Sequence, residues 1–420
     1  MTQGETIDDL YVRQRILGCL LTARNPDSAG EVERLFLQDV RPIMAGLGID
    51  APIIEVYSPG RSSYCKTFNG HRYIVLDHGQ LLCLATLDRL TFRGVKMHHV
   101  AAAFQRVLAE ASRNAQQADL YSFFIRRASE VKSIHGIDQL CEGDEIARTA
   151  QTLLILFHEA AHALPNDHEL RTATDSYAIL KVSSLSTQWL RMLTAKYPLD
   201  LGEDLPRITE EDLAEWIVFR DSQNFSDEEL GEAINTVAND PSFLGEIACD
   251  RTAVSLQQAV LEANREGHTE QEFLQHCTAV FLSLYRTFLH LRLLKYIDDV
   301  FLNLPEHITV SRINPLNLHA MVAAGFRGAL VGQLILDAAI ETGGDVYCTQ
   351  LRTMLVVIQR EHTTQLFEPL NRLLEMTVLN LDFHHKLPQL LAEDGITAVS
   401  FGADELDTLC SADTIWLQLA

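Results

Sequence analysis

Hydrophobic residues recur at three- and four-residue steps along most of the chain, the spacing that places them on one face of an α-helix. This period predicts two helices within residues 7–48, followed by helices at 81–90, 97–131 and 144–164. It then predicts a continuous helical series to residue 392: 170–196, 209–220, 227–238, 243–265, 269–297, 315–341, 345–379 and 385–392.

The period changes between residues 52 and 77, where β-branched and aromatic residues are frequent. Strands are predicted at 52–57, 63–68 and 71–76. Asn69 and Gly70 separate the last two runs, and this pair is the preferred two-residue hairpin turn because both positions need a positive φ. The predicted fold class is therefore α+β, predominantly helical, with a small N-terminal sheet of about three strands.

The pattern contains neither an internal repeat nor a low-complexity linker. The weakest point is near residues 305–315, where two prolines flank a short β-prone run. Two regions are therefore predicted. Residues 1–310 carry the small sheet and the helices at 144–164 and 243–265, and residues 311–420 form a helical C-terminal region.

The charge balance excludes two classes of partner. The chain has 34 Lys and Arg against 57 Asp and Glu, a net charge of −23, whereas nucleic acids and anionic lipids are bound by clustered cations. The N-terminus lacks the basic start and apolar run of a signal peptide, and the cysteines are dispersed without a CxxC pair. These features predict a cytoplasmic protein that binds neither nucleic acid nor membrane.

One motif carries recognisable chemistry. Residues 157–164 read FHEAAHAL, which places His158, Glu159 and His162 in an HExxH pattern on a predicted helix. Positions i and i+4 share a helix face, so both imidazoles can reach one metal ion. Zinc suits such ligands when one position stays open for water, and Glu159 can then serve as the general base. One zinc ion is therefore predicted.

A third ligand is needed, and two candidates remain open. Glu246 and Asp250 lie one turn apart in an apolar stretch, where Glu246 would bind zinc and Asp250 would accept a hydrogen bond from a ligating histidine. His168 has the spacing of the third ligand in HExxHxxGxxH metzincins. The residue at the glycine position of that pattern is Pro165, which cannot adopt a left-handed turn. Glu246 is therefore favoured over His168.

With HExxH and a distant ExxxD, the chain resembles the gluzincin zinc metallopeptidases, in particular soluble relatives of the branch that contains the CAAX-prenyl protease and the heat-shock membrane protease. In that branch a hairpin and a short helix precede the motif helix, as residues 63–90 do here. The chain departs from the branch in having no predicted membrane helices.

This resemblance implies a zincin-like metallopeptidase domain over residues 1–310. It implies His158, His162 and Glu246 as ligands, Glu159 as base and Asp250 as an outer partner. It also implies a peptide or protein substrate that lies antiparallel to an edge strand within 52–77.

A peptidase of this kind also needs a group that stabilises the oxyanion. By residue type and position after Glu246, the candidates are Tyr285, His290, His307 and His319. The alternative function is a zinc-binding regulatory or interaction protein without catalysis. Glu159 argues against this alternative, because a structural zinc site needs no base.

The acidic charge is concentrated in one part of the chain. Residues 198–250 contain 15 acidic side chains and two basic ones, and the segment 198–245 is predicted to be an acidic helical insertion between the two halves of the zinc site. A solvated surface that aids solubility is the simpler interpretation. The alternative is an acidic wall beside the cleft that selects basic segments of a protein substrate.

Overall fold

The computed structural model describes residues 22–23, 40–57, 61–68, 71–92, 97–130, 144–194, 226–304 and 318–393. Their strands are β1 (Thr22–Ala23), β2 (Ile53–Tyr57), β3 (Tyr64–Phe68) and β4 (His71–Asp77). Their helices are α1 (40–46), α2 (His78–Phe92), α3 (Met97–Asn114), α4 (Ala118–Glu130), α5 (Asp144–His162), α6 (Glu169–Thr194), α7 (Asp227–Ala238), α8 (Pro241–Ala263), α9 (Glu270–Leu302), α10 (Leu318–His362), α11 (Glu368–Met376) and α12 (Leu381–Glu393).

The predicted fold class is confirmed, since the protein is mostly helical with one small mixed sheet. The strand order is β1-β2-β4-β3, with β2 parallel to β4 and β3 antiparallel to it. Phe68 pairs with His71, which leaves the predicted two-residue connection between β3 and β4. The turn residues Asn69 and Gly70 lie outside the described residues. Among the described strands, β3 forms one edge of the sheet.

Two details of the predicted elements are wrong. The helix predicted at 97–131 is replaced over the described residues 97–130 by two helices, α3 and α4, because the chain turns at Gln116, which has a φ of 58°. Thr22–Ala23 is extended and pairs with β2, although the pattern over 7–48 predicted helices only. The helix predicted at 209–220 and the boundary predicted at 305–315 lie outside the described residues, and the division at 310 stays a prediction.

Helix α5 lies at the centre of the largest hydrophobic core. Its residues Leu156, Phe157 and Ala160 are fully buried, and the helix packs against α8, α9 and the sheet. Burial of this apolar face, at about 25 cal/mol per Å², holds α5 against α8. The side of α5 that carries the histidines therefore faces the first turns of α8.

Helix α10 continues through a kink at Gly344, whose φ of 75° and ψ of −174° are not helical. The break predicted between 341 and 345 falls at this kink. Within the described part of the chain, Leu318–Met376 is the one segment long and apolar enough to cross a membrane, a test that core helices of soluble proteins also pass.

Two buried histidines give the fold a pH dependence. The ring of His290 on α9 lies 5.4 Å from that of His362 at the end of α10, and both are buried. Burial lowers the pKa of both imidazoles, and Arg292 adds to this effect at His362, whose pKa falls to about 4.

Below pH 6.5 the unfolded chain binds a proton at each of these histidines while the folded protein does not, so the free energy of unfolding should fall as the pH decreases from 6.5 to 4. His362→Gln should make this pH slope shallower by up to about 1.4 kcal/mol per pH unit. Urea titrations of metal-free protein across this range would measure it. The exposed His385→Gln is the control, and equal slopes for the two variants would contradict the prediction.

Candidate metal centre

Three side chains from two helices converge at one point. Nε2 of His158 lies 3.3 Å from Oε2 of Glu246, and Nε2 of His162 lies 3.4 Å from Oε1. The three possible ligand atoms all lie within 4.8 Å of one another. Among the described residues, this His–His–Glu group is the one cluster of three or more side chains that could hold a metal ion.

Local structure accounts for the positions of these ligands. His158 and His162 are one turn apart near the end of α5, so their rings lie side by side at 5.1 Å. The carbonyl of His162 accepts a hydrogen bond from Arg72 on β4 at 3.2 Å, and that of Leu164 accepts from Arg72 and Arg171 at 3.0 and 3.1 Å. These bonds satisfy the last carbonyl of α5 and one just beyond it, and those from Arg72 tie the end of the helix to the sheet.

The donor set fits a zinc ion. Two imidazole nitrogens and one carboxylate are the ligands of a zinc site that keeps a fourth position open. The His162 and Glu246 side chains are about one-third exposed, at 33% and 37%. An ion, a water molecule and a substrate could therefore reach them from solvent.

Glu159 is buried beside the two histidines. The backbone of Cys65 on the edge strand β3 lies close enough to its carboxylate to favour the charged form. Burial raises the pKa of the Glu159 carboxyl above its ordinary value, although the two imidazoles oppose this shift. The predicted base therefore lies between the metal ligands and the edge of the sheet.

Asp250 occupies the position predicted for an outer partner. Its side chain is 0% exposed, and Oδ1 lies 2.8 Å from Nδ1 of His158, the ring nitrogen that faces away from Glu246. Burial opposes a charged imidazole at His158, but hydrogen bonds to Asp250 and Glu246 raise its pKa to about 10. These contacts favour the protonated form of His158, and metal binding at Nε2 would release that proton.

Arg327 is the residue of this site that the sequence pattern did not reveal. From α10 it makes a bidentate ion pair with Asp250, in which Nε donates to Oδ2 and Nη2 donates to Oδ1, both at 2.8 Å. Its Nη1 lies 3.4 Å from Oε2 of Glu246. Burial opposes the charge on Glu246, but the two imidazoles and Arg327 hold the pKa of its carboxyl well below the ordinary value. In the sequence, Arg327 differs from its surroundings only by its isolation, since no other Arg or Lys occurs between Arg312 and Arg352.

The remaining candidates make other contacts. Nδ1 of His168 accepts a hydrogen bond from the backbone of Leu170 at the start of α6, at 3.1 Å. The hydroxyl of Tyr285 donates to Gln359, His290 packs against His362, and His319 is exposed. None of these four belongs to the His–His–Glu group. His307 lies outside the described residues.

No protein-family model, curated protein or solved structure matches this chain. Its function must therefore be inferred from side-chain geometry.

The ion pair between Arg327 and Asp250 can be tested by removing the cation. Arg327→Met would leave His158 as the remaining cationic contact of the buried Asp250 among the described residues, and loss of a partner from a buried ion pair costs about 3–5 kcal/mol. Because the Arg327 side chain is 36% exposed, we expect a loss of about 3 kcal/mol in the free energy of unfolding, measured by urea titration of metal-free protein.

The surface variant Arg265→Met is the control, since it breaks exposed pairs with Glu262 and Glu270 and a cation–π contact with Phe273 and should cost about 1 kcal/mol. Adding Asp250→Asn to Arg327→Met should recover part of the loss, because the carboxylate charge is then gone. Similar costs for Arg327→Met and Arg265→Met would contradict this account.

Proposed function

We propose that this protein is a zinc-dependent metallopeptidase of the gluzincin type that hydrolyses peptide bonds of a protein substrate. The observation that carries the proposal is the approach of Glu246 to His158 and His162 with Glu159 buried beside them. A structural zinc site would need the ligands but not this additional carboxylate, so the geometry favours catalysis over a purely structural or regulatory site.

In the proposed enzyme His158, His162 and Glu246 hold one zinc ion. The bound ion supplies Lewis acidity, which polarises the scissile carbonyl and lowers the pKa of water at the site. Asp250 holds His158 so that Nε2 points to the ion, and Arg327 holds Asp250 and approaches Glu246.

Glu159 would carry the proton in the reaction. It accepts a proton from the attacking water as oxygen bonds to the scissile carbon, and it gives that proton to the nitrogen as the carbon–nitrogen bond breaks. The products are a carboxylic acid and an amine, so one water molecule is consumed. The nearby backbone of Cys65 would help to orient Glu159 for both transfers.

The substrate would bind along β3. Among the described strands β3 forms an edge of the sheet, and its residue Cys65 lies close to Glu159, so this edge lies beside the candidate centre. An extended peptide can add to such an edge through main-chain hydrogen bonds. This arrangement would place a peptide bond next to Glu159 without requiring a particular sequence.

Basic segments would be favoured in that substrate. Helix α7 carries the exposed acidic residues Asp227, Glu228 and Glu232, and it directly precedes α8, which supplies Glu246. Negative charge close to the cleft would raise the local concentration of Lys- and Arg-rich chains. Residues 198–225 of the acidic segment lie outside the described residues.

The ligand assignment predicts the metal content of three variants. Purified protein should contain about one zinc per chain, as measured by elemental mass spectrometry. Glu246→Ala should lower this content strongly because a ligand is lost, while His168→Ala should retain it. The control Glu262→Ala removes an exposed carboxylate from the far end of α8 and should also retain zinc. Zinc loss in His168→Ala alone would favour the metzincin-like alternative.

The role of Glu159 predicts a separation between binding and catalysis. Glu159→Gln keeps the size of the side chain but removes the base, so it should keep zinc and lose cleavage by about 100-fold or more. Cleavage would be measured by mass spectrometry on a proteome-derived peptide library, in which we expect enrichment of Lys and Arg near the cut sites.

Full activity of Glu159→Gln would contradict the mechanism, and cut sites without enrichment of Lys or Arg would contradict the acidic wall. A wild-type protein that binds zinc but produces no new N-termini, either in this library or in its native host, would favour the regulatory alternative.

A further inference from the structure

The second histidine of the motif has its own partner on α8. Nε2 of His162 faces Glu246, and the opposite ring nitrogen, Nδ1, lies 3.4 Å from Sγ of Cys249. His158 has the same arrangement, with Glu246 on one side and Asp250 on the other. Each imidazole therefore lies between Glu246 and a second group from the same helix.

One turn of α8 supplies all three groups. Glu246, Cys249 and Asp250 stand at positions i, i+3 and i+4, which lie on neighbouring parts of one helix face. Cys249 is only 7% exposed and belongs to the core that α5 and α8 share. Small residues such as Ala160 and Ala253 line this contact, so the helices approach closely and a short side chain such as cysteine can reach the imidazole.

We propose that Cys249 is a positioning residue for His162, in the way that Asp250 is for His158. A neutral imidazole carries one N–H. When that N–H is on Nδ1 and donates to Sγ of Cys249, the lone pair of Nε2 is left to face the metal and Glu246. This inference rests on the proposed zinc site but does not require that the protein be a peptidase.

The chemistry of Cys249 and Asp250 predicts which of them fixes its histidine more firmly. A thiol sulfur is a weak acceptor compared with a carboxylate, so Cys249 should fix its histidine less firmly than Asp250 does. The exposed fractions of the two rings agree with this order. The His162 side chain, which we expect to be held less firmly, is 33% exposed, whereas that of His158 is enclosed by more protein and is 13% exposed. A second buried carboxylate in place of the thiol would also add negative charge beside Glu246, Asp250 and Glu159.

Cobalt titration of the full-length, metal-free protein tests this role, because the visible absorption of Co²⁺ reports the geometry of its ligands. Cys249→Ala should weaken Co²⁺ binding by about tenfold, the lower end of the effect of losing an outer partner, and should shift the visible bands. Cys249→Ser, whose hydroxyl can still accept the hydrogen bond, should restore most of the affinity and the wild-type bands.

The control is Cys277→Ala, which removes another buried thiol from the same core and should leave both the affinity and the bands unchanged. Urea unfolding of the metal-free variants separates positioning from packing. If only packing mattered, the two alanine variants would lose similar stability and neither would change the spectrum.

Two results would overturn the inference. In the first, Cys249→Ala binds Co²⁺ with wild-type affinity and spectrum. In the second, the wild-type complex shows a sulfur-to-cobalt charge-transfer band that Cys249→Ala lacks, which would make Cys249 a metal ligand. Failure of the wild-type protein itself to bind Co²⁺ would instead overturn the proposed zinc site and this inference together. Binding without proteolysis would remove only the peptidase proposal.

Discussion

The buried carboxylate of Asp250 is the interaction on which the candidate centre depends. It is fully enclosed by protein, and a buried charge is tolerated only when cations or hydrogen-bond donors surround it. His158 from α5 and Arg327 from α10 meet this requirement from two directions. The Asp250 carboxylate therefore holds together α5, α8 and α10, which are distant in the sequence. Glu246 lies one turn before Asp250 on α8.

The other features of the site follow from this arrangement. Because α5 is held against α8, both histidines point their Nε2 atoms at Glu246. The same contact brings Cys249 to His162, while β3 of the sheet places the backbone of Cys65 near Glu159. The candidate ligands, the candidate base and the residues around them therefore come from α5, α8, α10 and β3, and none of these elements forms the site alone.

Most elements were predictable from local spacing. The helix at Asp227–Ala238 and the strands within 52–77 have the bounds that the pattern predicts, to within one or two residues. The errors in the predicted elements occur where the local sequence contains no signal for a turn or a strand. The turn at Gln116 contains neither glycine nor proline, and α3 and α4 continue the same helical period on both sides of it. The two-residue strand Thr22–Ala23 exists through its pairing with β2, which no local period reports.

By itself the sequence determined the parts of the candidate site that depend only on the geometry of a single helix. One helical turn of 5.4 Å places His158 and His162 side by side, and the same geometry sets Asp250 one turn beyond Glu246. Only the tertiary structure decided that Glu246 meets the two histidines, that His168 instead bonds to the backbone at the start of α6, and that Arg327 and Cys249 complete the surroundings. The physical reason is that helix geometry sets distances within a turn, whereas distances between groups about 80 residues apart depend on how the helices pack.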